Sequence, residues 1–140
     1  FQLLTKNAPR LNEFEFPKNV WVGVSAPPSM MFGKKLSIVQ QARMLKRMLD
    51  TLSVVDVPVR WASIEPLSFD VAPLMESVNI QWVVIGAATN GHKTFQPRPD
   101  WVANLLATLE RHQTPVFFKG NLEWSPWRED FPTHNNRGCG

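Results

Sequence analysis

The strongest constraint on the fold is a set of five apolar runs, at 1–6, 20–26, 59–66, 82–88 and 115–120, with helix-like stretches between them. The runs are apolar almost continuously rather than at every second position, which is typical of parallel strands covered on both faces. The pattern therefore predicts an α/β chain with a parallel sheet of about five βα units. Because the first run starts at Phe1 with no turn or cap before it, we expect a larger unit of which 1–140 is the carboxyl-terminal part.

Two closures of such a sheet agree with the pattern. Right-handed crossovers between parallel strands give either part of a (β/α) TIM-like barrel or an open doubly wound sheet. The longest predicted helix, at 35–52, carries Val39, Leu45, Leu49 and Leu52 at three- and four-residue steps, so one side of it is expected to face the sheet. Periodicity does not choose between the two closures.

Composition narrows the class of protein. The 140 residues are 44% hydrophobic and 19% charged, which indicates a single globular domain and excludes a disordered tail protein. The net charge of +3 is scattered along the chain, so binding of nucleic acid is neither indicated nor excluded. Cys139 is the only cysteine, and no disulfide framework is available. Without a secretory leader or a membrane-length apolar stretch, we expect a cytoplasmic protein.

Polar residues follow the predicted strands, where parallel α/β sheets place their ligands. They are Thr5, Lys6, Ser25, Glu65, Asn90 and Lys119. Glu65 is the sharpest candidate, because an acid at the end of a buried strand is costly unless it is paired or used. It is expected either to accept hydrogen bonds from a ligand or to pair with Lys6, Arg60 or Lys119. If the sheet curls, Lys6 and Lys119 would point into one opening at the carboxyl ends of the strands and hold a carboxylate or phosphate.

The remaining motifs are weaker. Ser25 offers a hydroxyl, but 23–27 lacks the second glycine of a hydrolase elbow. The segment 86–93, which begins with Gly86, is expected to be a loop whose backbone N–H groups face an anion, although it matches no nucleotide-binding motif. His92, His112 and His134 lack the spacing of a metal site. Trp124, Trp127 and Phe131 are expected to hold the terminal segment against the body, with stacking on bases or an adenine ring as the alternative.

Five blocks taken together, at 1–6, 19–25, 63–67, 82–86 and 116–119, resemble the later part of a radical-SAM-type family of phage-associated proteins. The resemblance implies an earlier segment, absent here, with three cysteines that bind a [4Fe–4S] cluster, and reductive cleavage of S-adenosylmethionine to a 5′-deoxyadenosyl radical. It also implies that the S-adenosylmethionine and substrate side is lined by residues of this chain: Thr5, Lys6, Ser25, Glu65 and the backbone around Gly86.

The chain departs from the family pattern in two places. Many relatives have an acidic residue soon after the position of Ser25, where this chain continues with Ala26-Pro27-Pro28, and a Gly-Gly-Glu-like turn where this chain has Gly86-Ala87-Ala88. One cysteine cannot ligate a cluster, so we expect catalysis only together with the missing segment or a partner chain. Two alternatives stay open: a non-catalytic half-barrel that binds another chain through its exposed first strand, and an open domain that binds an anionic small molecule between Lys6 and Lys119.

Overall fold

The computed structural model describes residues 1–133. Along the chain it contains β1 (Gln2–Thr5), a 3₁₀ helix (Ala8–Glu13), β2 (Trp21–Ser25), β3 (Met30–Met31), β4 (Lys34–Lys35), α1 (Ile38–Ser53), β5 (Val59–Ile64), α2 (Ala72–Met75), β6 (Trp82–Ile85), β7 (Ala88–Asn90), β8 (Lys93–Phe95), α3 (Pro99–Arg111) and β9 (Val116–Phe118). His134 and Cys139 lie outside the described residues.

The main sheet contains five strands in the order β1-β2-β5-β6-β9, and each neighbouring pair is parallel. All five apolar runs of the sequence are therefore strands of one parallel sheet, as predicted. The spatial order of the strands equals their order along the chain, and the sheet is open. The carboxyl ends of all five strands consequently lie at the same edge, which we call the carboxyl edge.

One face of the sheet is packed against all the helices. Val22, Ala62 and Val83 from the sheet belong to one buried cluster with Leu49 of α1 and Leu105 of α3, and all five are at most 1% exposed. Helix α1 begins at a capping box, in which Ser37 Oγ accepts from the Gln40 N–H and Gln40 Oε1 accepts from the Ser37 N–H. We call this side of the sheet the covered face.

The opposite side, the open face, carries a smaller cluster of Val59, Trp61, Trp82 and Val84 with Trp21 and Phe117 packed against it. No helix among residues 1–133 belongs to this cluster. The helices therefore cover one face of the sheet, whereas both faces were expected to be covered, and the arrangement is not doubly wound. The physical reason is the direction of the crossover connections. Each crossover is right-handed and leads to the next strand in the same direction across the sheet, so all the connecting helices lie on the same face.

The segment after β9 folds back on the sheet, as the sequence predicted from its aromatic residues. The Asp130 N–H donates to the Val116 carbonyl at 2.9 Å, and the Phe118 N–H donates to the Arg128 carbonyl at 2.9 Å. Trp82 Nε1 donates to the Asp130 carbonyl at 2.8 Å, and the ring of Phe131 stacks on that of Trp82 with centroids 5.5 Å apart. The segment thus covers the outer edge of β9 and reaches the open face.

Two details differ from the expectations. Val39, predicted to face the sheet, is 64% exposed in the first turn of α1. The segment 86–93, predicted to be a loop, contains β7 and the start of the β7–β8 hairpin, and a second hairpin, β3–β4, follows β2. None of the helices within residues 1–133 has the length and apolar character needed to cross a bilayer.

Candidate functional site at the carboxyl edge of the open face

Three neighbouring strands end in one row on the open face. Glu65 follows β5, Gly86 follows β6 and Lys119 follows β9. The sheet ladder continues through this row, because the Gly86 N–H donates to the Ile64 carbonyl at 3.1 Å and the Lys119 N–H donates to the Ile85 carbonyl at 2.9 Å. The acidic and the basic residue are therefore held two strands apart with a glycine between them.

Gly86 gives the Glu65 side chain the space that it occupies. A Cβ atom at Gly86 would lie 2.8 Å from Cγ and 2.9 Å from Cδ of Glu65, which is closer than real contacts allow. The carboxyl group of Glu65 thus lies over β6, on the side of its own strand where β9 and Lys119 follow. Any larger residue at position 86 would displace it.

Neither charged group of this row has a partner in the structure. Glu65 is half-buried and Lys119 is exposed, and neither side chain makes a hydrogen bond or ion pair within residues 1–133. The predicted pairing of Glu65 with Lys6, Arg60 or Lys119 does not occur. Arg60 instead donates to Gln81 Oε1 at 3.3 Å. Within residues 1–133, a carboxylate and an ammonium group without partners therefore remain available to a ligand.

Both groups line a cavity of about 280 Å³ on the open face, which we call the open-face cavity. Its lining comes from four strands and the terminal segment: Gln2, Leu4, Trp61, Ser63, Glu65, Trp82, Val84, Phe117, Lys119 and Phe131. The volume lies just below the range of roughly 300–1,000 Å³ typical of small-molecule sites. The cavity combines one anion, one cation and one hydroxyl with an aromatic floor.

The aromatic floor is built on a second glycine. The Trp61 ring lies against Gly23, where a Cβ atom would be only 2.4 Å from the ring. The centroids of the Trp61 and Trp82 rings are 5.2 Å apart. Trp61 Nε1 is buried and has no hydrogen-bond acceptor among residues 1–133. A buried N–H group without an acceptor is uncommon in folded proteins, so it marks this floor as a place where a further acceptor would be favourable.

The predicted site residues near β1 and β2 lie elsewhere. Thr5 Oγ accepts from the Asn7 N–H at 2.9 Å and so stabilises the turn after β1. Lys6 and Ser25 line a separate cavity of about 180 Å³ with Pro27, Met31, Met44 and Met48. Lys6 and Lys119 therefore line different cavities. Of the predicted site residues, the structure brings together only Glu65, Gly86 and Lys119.

The backbone after β6 is already used within the protein. The Gly86 N–H belongs to the sheet ladder, and the Ala87 N–H donates to Asn121 Oδ1 at 3.1 Å. Asn121 Nδ2 in turn donates to the Ala87 carbonyl at 2.8 Å. Asn90 lies further on, exposed in the β7–β8 hairpin. Gly86 thus contributes space for Glu65, while its N–H and that of Ala87 are engaged and do not face an anion.

The other residues of β5 that line the cavity with Glu65 were not identified from the sequence. Trp61 and Ser63 lie on the same face as Glu65, because side chains alternate along a strand. This period of two was present in the sequence as Trp61-Ala62-Ser63-Ile64-Glu65. The sequence alone did not indicate which face of the sheet the helices cover.

No three His, Cys, Asp or Glu side chains within residues 1–133 are grouped closely enough to hold a metal ion. His92 and His112 lie on the exposed surface, in the β7–β8 turn and after α3.

Comparison with known proteins assigns the chain to a family and to no reaction. No curated protein matches the sequence, and no solved structure matches it. One family model matches residues 1–138, which is nearly the entire chain. The chain belongs to that family, which is described as protein of unknown function, DUF5131.

Proposed function

We propose that this chain forms the carboxyl-terminal strands of a radical S-adenosylmethionine-type enzyme and that the open-face cavity binds S-adenosylmethionine or the substrate beside it. The topology supports the proposal. Parallel strands in chain order with all helices on one face are the arrangement of a (β/α) barrel wall, whose inner face and carboxyl edge carry the active site. In this proposal residues 1–140 are part of a larger partial barrel in the cytoplasm, whose reducing environment suits iron–sulfur chemistry.

The observation that carries the proposal is that Glu65 and Lys119 line one cavity and have no partner among the residues that the structure describes. The methionine part of S-adenosylmethionine has an ammonium and a carboxylate group on one carbon. Glu65 would accept from the ammonium group and Lys119 would donate to the carboxylate, each as a charge-assisted hydrogen bond. The rings of Trp61 and Trp82 offer an apolar surface to the adenine. S-adenosylmethionine supplies a 5′-deoxyadenosyl radical in this class of enzyme.

The iron–sulfur cluster implied by the resemblance does not fit this chain alone. A [4Fe–4S] cluster of this type needs three thiolates, and the sequence contains one cysteine, Cys139. We therefore assign no step through a cluster to these residues. The role proposed for this chain is to bind and orient the cofactor and substrate, with the thiolates supplied by an amino-terminal segment or a partner chain.

The test uses the full-length protein that carries this sequence, reconstituted anaerobically with iron and sulfide. We expect it to bind S-adenosylmethionine in isothermal titration calorimetry and to release 5′-deoxyadenosine after reduction. Glu65→Gln and Lys119→Gln should each raise the Kd by about tenfold or more, because a hydrogen bond to a charged group contributes roughly 1.5–3 kcal/mol. Lys18→Gln, an exposed lysine before β2 with no partner within residues 1–133, is the matched control and should leave the Kd unchanged.

Absence of both binding and 5′-deoxyadenosine would refute the proposal. Binding that survives both substitutions would refute the assignment of the site while leaving the enzyme class intact. The two failures are therefore distinguishable.

The structure also favours a second candidate, a half-barrel that pairs with another chain. Strand β1 is an open edge of the sheet, and Phe1, Leu3 and Leu4 are 88%, 42% and 48% exposed. Soluble proteins usually cover such an edge. Sedimentation of the full-length protein tests this function: a monomer at all concentrations would contradict it, whereas a stable dimer weakened by Leu3→Lys would support it.

A further inference from the structure

Two β-hairpins project from the carboxyl edge of the sheet. The hairpin β3–β4 follows β2, and the hairpin β7–β8 follows β6. Only β5 separates β2 from β6 in the sheet, so the two parent strands lie roughly 10 Å apart. Both hairpins therefore leave the sheet at the edge that also holds Glu65 and Lys119, the first beside α1 and the second beside the segment after β9.

The tip of the first hairpin presents an aromatic ring to solvent. Phe32 and Gly33 form the two-residue turn with φ of 50° and 74°, as a type I′ turn requires. Such turns favour Asn and Gly, because a bulky residue at positive φ is strained. The Phe32 ring is 96% exposed. Neither the backbone geometry nor the exposure of Phe32 stabilises the fold, and strain of this kind points to a role in binding.

Both hairpin segments are basic and contain no acidic residue. The segment 26–37 contains Lys34 and Lys35, and the segment 87–98 contains Lys93 and Arg98, but neither contains Asp or Glu. Arg98 is paired with Asp100, which follows the second segment, so the lysines carry the free charge. Lys34, Lys35 and Lys93 are exposed and make no ion pair with any residue of 1–133. Each hairpin thus carries exposed cations that have no ion-pair partner within residues 1–133.

The second hairpin repeats this chemistry on one of its faces. Asn90 is paired with Lys93, and Ala88 is paired with Phe95, so the side chains of Asn90, Lys93 and Phe95 share one face of the hairpin. Phe95 is 55% exposed. A hydrogen-bonding amide, a cation and an aromatic ring are therefore presented together.

We propose that the two hairpins bind single-stranded nucleic acid along the carboxyl edge. Sites for single strands combine cations that follow the phosphates with aromatic rings on which bases stack. Phe32 and Phe95 stack on bases, and Lys34, Lys35 and Lys93 contact phosphates. The inference goes beyond the proposed function and does not depend on it, because binding of the strand requires neither S-adenosylmethionine nor a cluster.

The first experiment removes the ring without disturbing the turn. Binding of a short fluorescein-labelled single-stranded oligonucleotide of mixed sequence to the full-length protein is followed by fluorescence anisotropy, with DNA and RNA versions run in parallel. Phe32→Asn keeps a residue that tolerates positive φ. We expect its Kd to rise about tenfold, the usual order for loss of one stacked base. The unfolding temperature should stay the same or rise, because the strained residue is removed.

The second experiment distinguishes phosphate contacts made by the hairpin lysines from a general effect of positive charge. Lys34→Gln should reduce the magnitude of the slope of log K against log salt concentration by about 0.7, the change expected for one phosphate contact on a single strand. Lys18→Gln, which removes an equal charge at the opposite end of the sheet, should leave the slope unchanged.

Three results would overturn the inference. They are an unchanged Kd for Phe32→Asn, an equal loss of slope for Lys18→Gln and Lys34→Gln, or binding to phosphatidylserine vesicles without binding to either oligonucleotide. The last result would identify the hairpins as a membrane-surface site. A preference for RNA or for DNA in the parallel titrations would support the inference and name the source of the strand.

Discussion

The two faces of the sheet are built from different residues. The covered face is aliphatic: Val22, Ile64 and Ile85 are completely buried against the helices. The open face carries tryptophan rings and polar groups over two glycines, and several of its groups have no partner within residues 1–133. The comparison teaches that the covered face is packed with aliphatic side chains, whereas the open face combines packed aromatic rings with polar groups that have no partner within residues 1–133.

A substitution on the covered face should have the largest effect on stability. Leu49→Ala removes a side chain that is 0% exposed, and such cavities cost about 2–5 kcal/mol. Urea unfolding measures this loss, and the folded protein should keep its ligand affinity. Val39→Ala on the same helix, where the side chain is 64% exposed, is the control and should change stability by less than about 0.5 kcal/mol. Equal losses for the two would show that α1 is misplaced.

Filling the space beneath the aromatic floor should have the next largest effect. Gly23→Ala places a Cβ atom 2.4 Å from the Trp61 ring, so the ring must move, at a cost of about 1–3 kcal/mol. A change in tryptophan fluorescence should accompany the loss. Gly120→Ala, where no atom lies within 4 Å of the new Cβ, should be nearly neutral. A neutral Gly23→Ala would mean that the floor is loosely packed.

Removing the hydrogen bond that attaches the terminal segment should by itself cost about 1 kcal/mol. Trp82→Phe deletes the Nε1 donor to the Asp130 carbonyl, and the smaller ring at this buried position adds a packing loss to that of the bond. We expect faster proteolysis after residue 120 in addition to a lower unfolding free energy. Trp127→Phe deletes an exposed bond from Nε1 to Glu129 and should cost less. If Trp127→Phe released the segment more readily, the attachment would lie at β9 rather than at the open face.

Glu65→Gln should have the smallest effect on stability and thereby sharpen the comparison most. Its carboxylate has no partner within residues 1–133, so the free energy of unfolding should change by less than about 0.5 kcal/mol. Chemical denaturation measures the change beside the ligand titration of the same variant. Destabilisation above about 1 kcal/mol would show that the Glu65 carboxylate stabilises the fold in addition to the aromatic rings of the open face.

Much of the framework was predictable because it depends on local patterns. All five apolar runs became strands, and the periodicity of 35–52 identified α1. The hairpins were not predictable: β3 and β4 contain only two residues each, which is too short for an alternation pattern. The position of Val39 was also missed, because periodicity gives the buried side of a helix but not which of its turns contacts the sheet.

The sequence by itself determined which segments are strands and helices and that Glu65 and Lys119 follow strands, since these properties depend on short stretches of chain. Only the tertiary structure decided that Glu65 lies over Gly86 in the cavity of Lys119, while Lys6 and Ser25 line another cavity. The physical reason is that register and crossover direction join residues distant in sequence. Neither the register nor the crossover direction can be read from the pattern of residues in one segment.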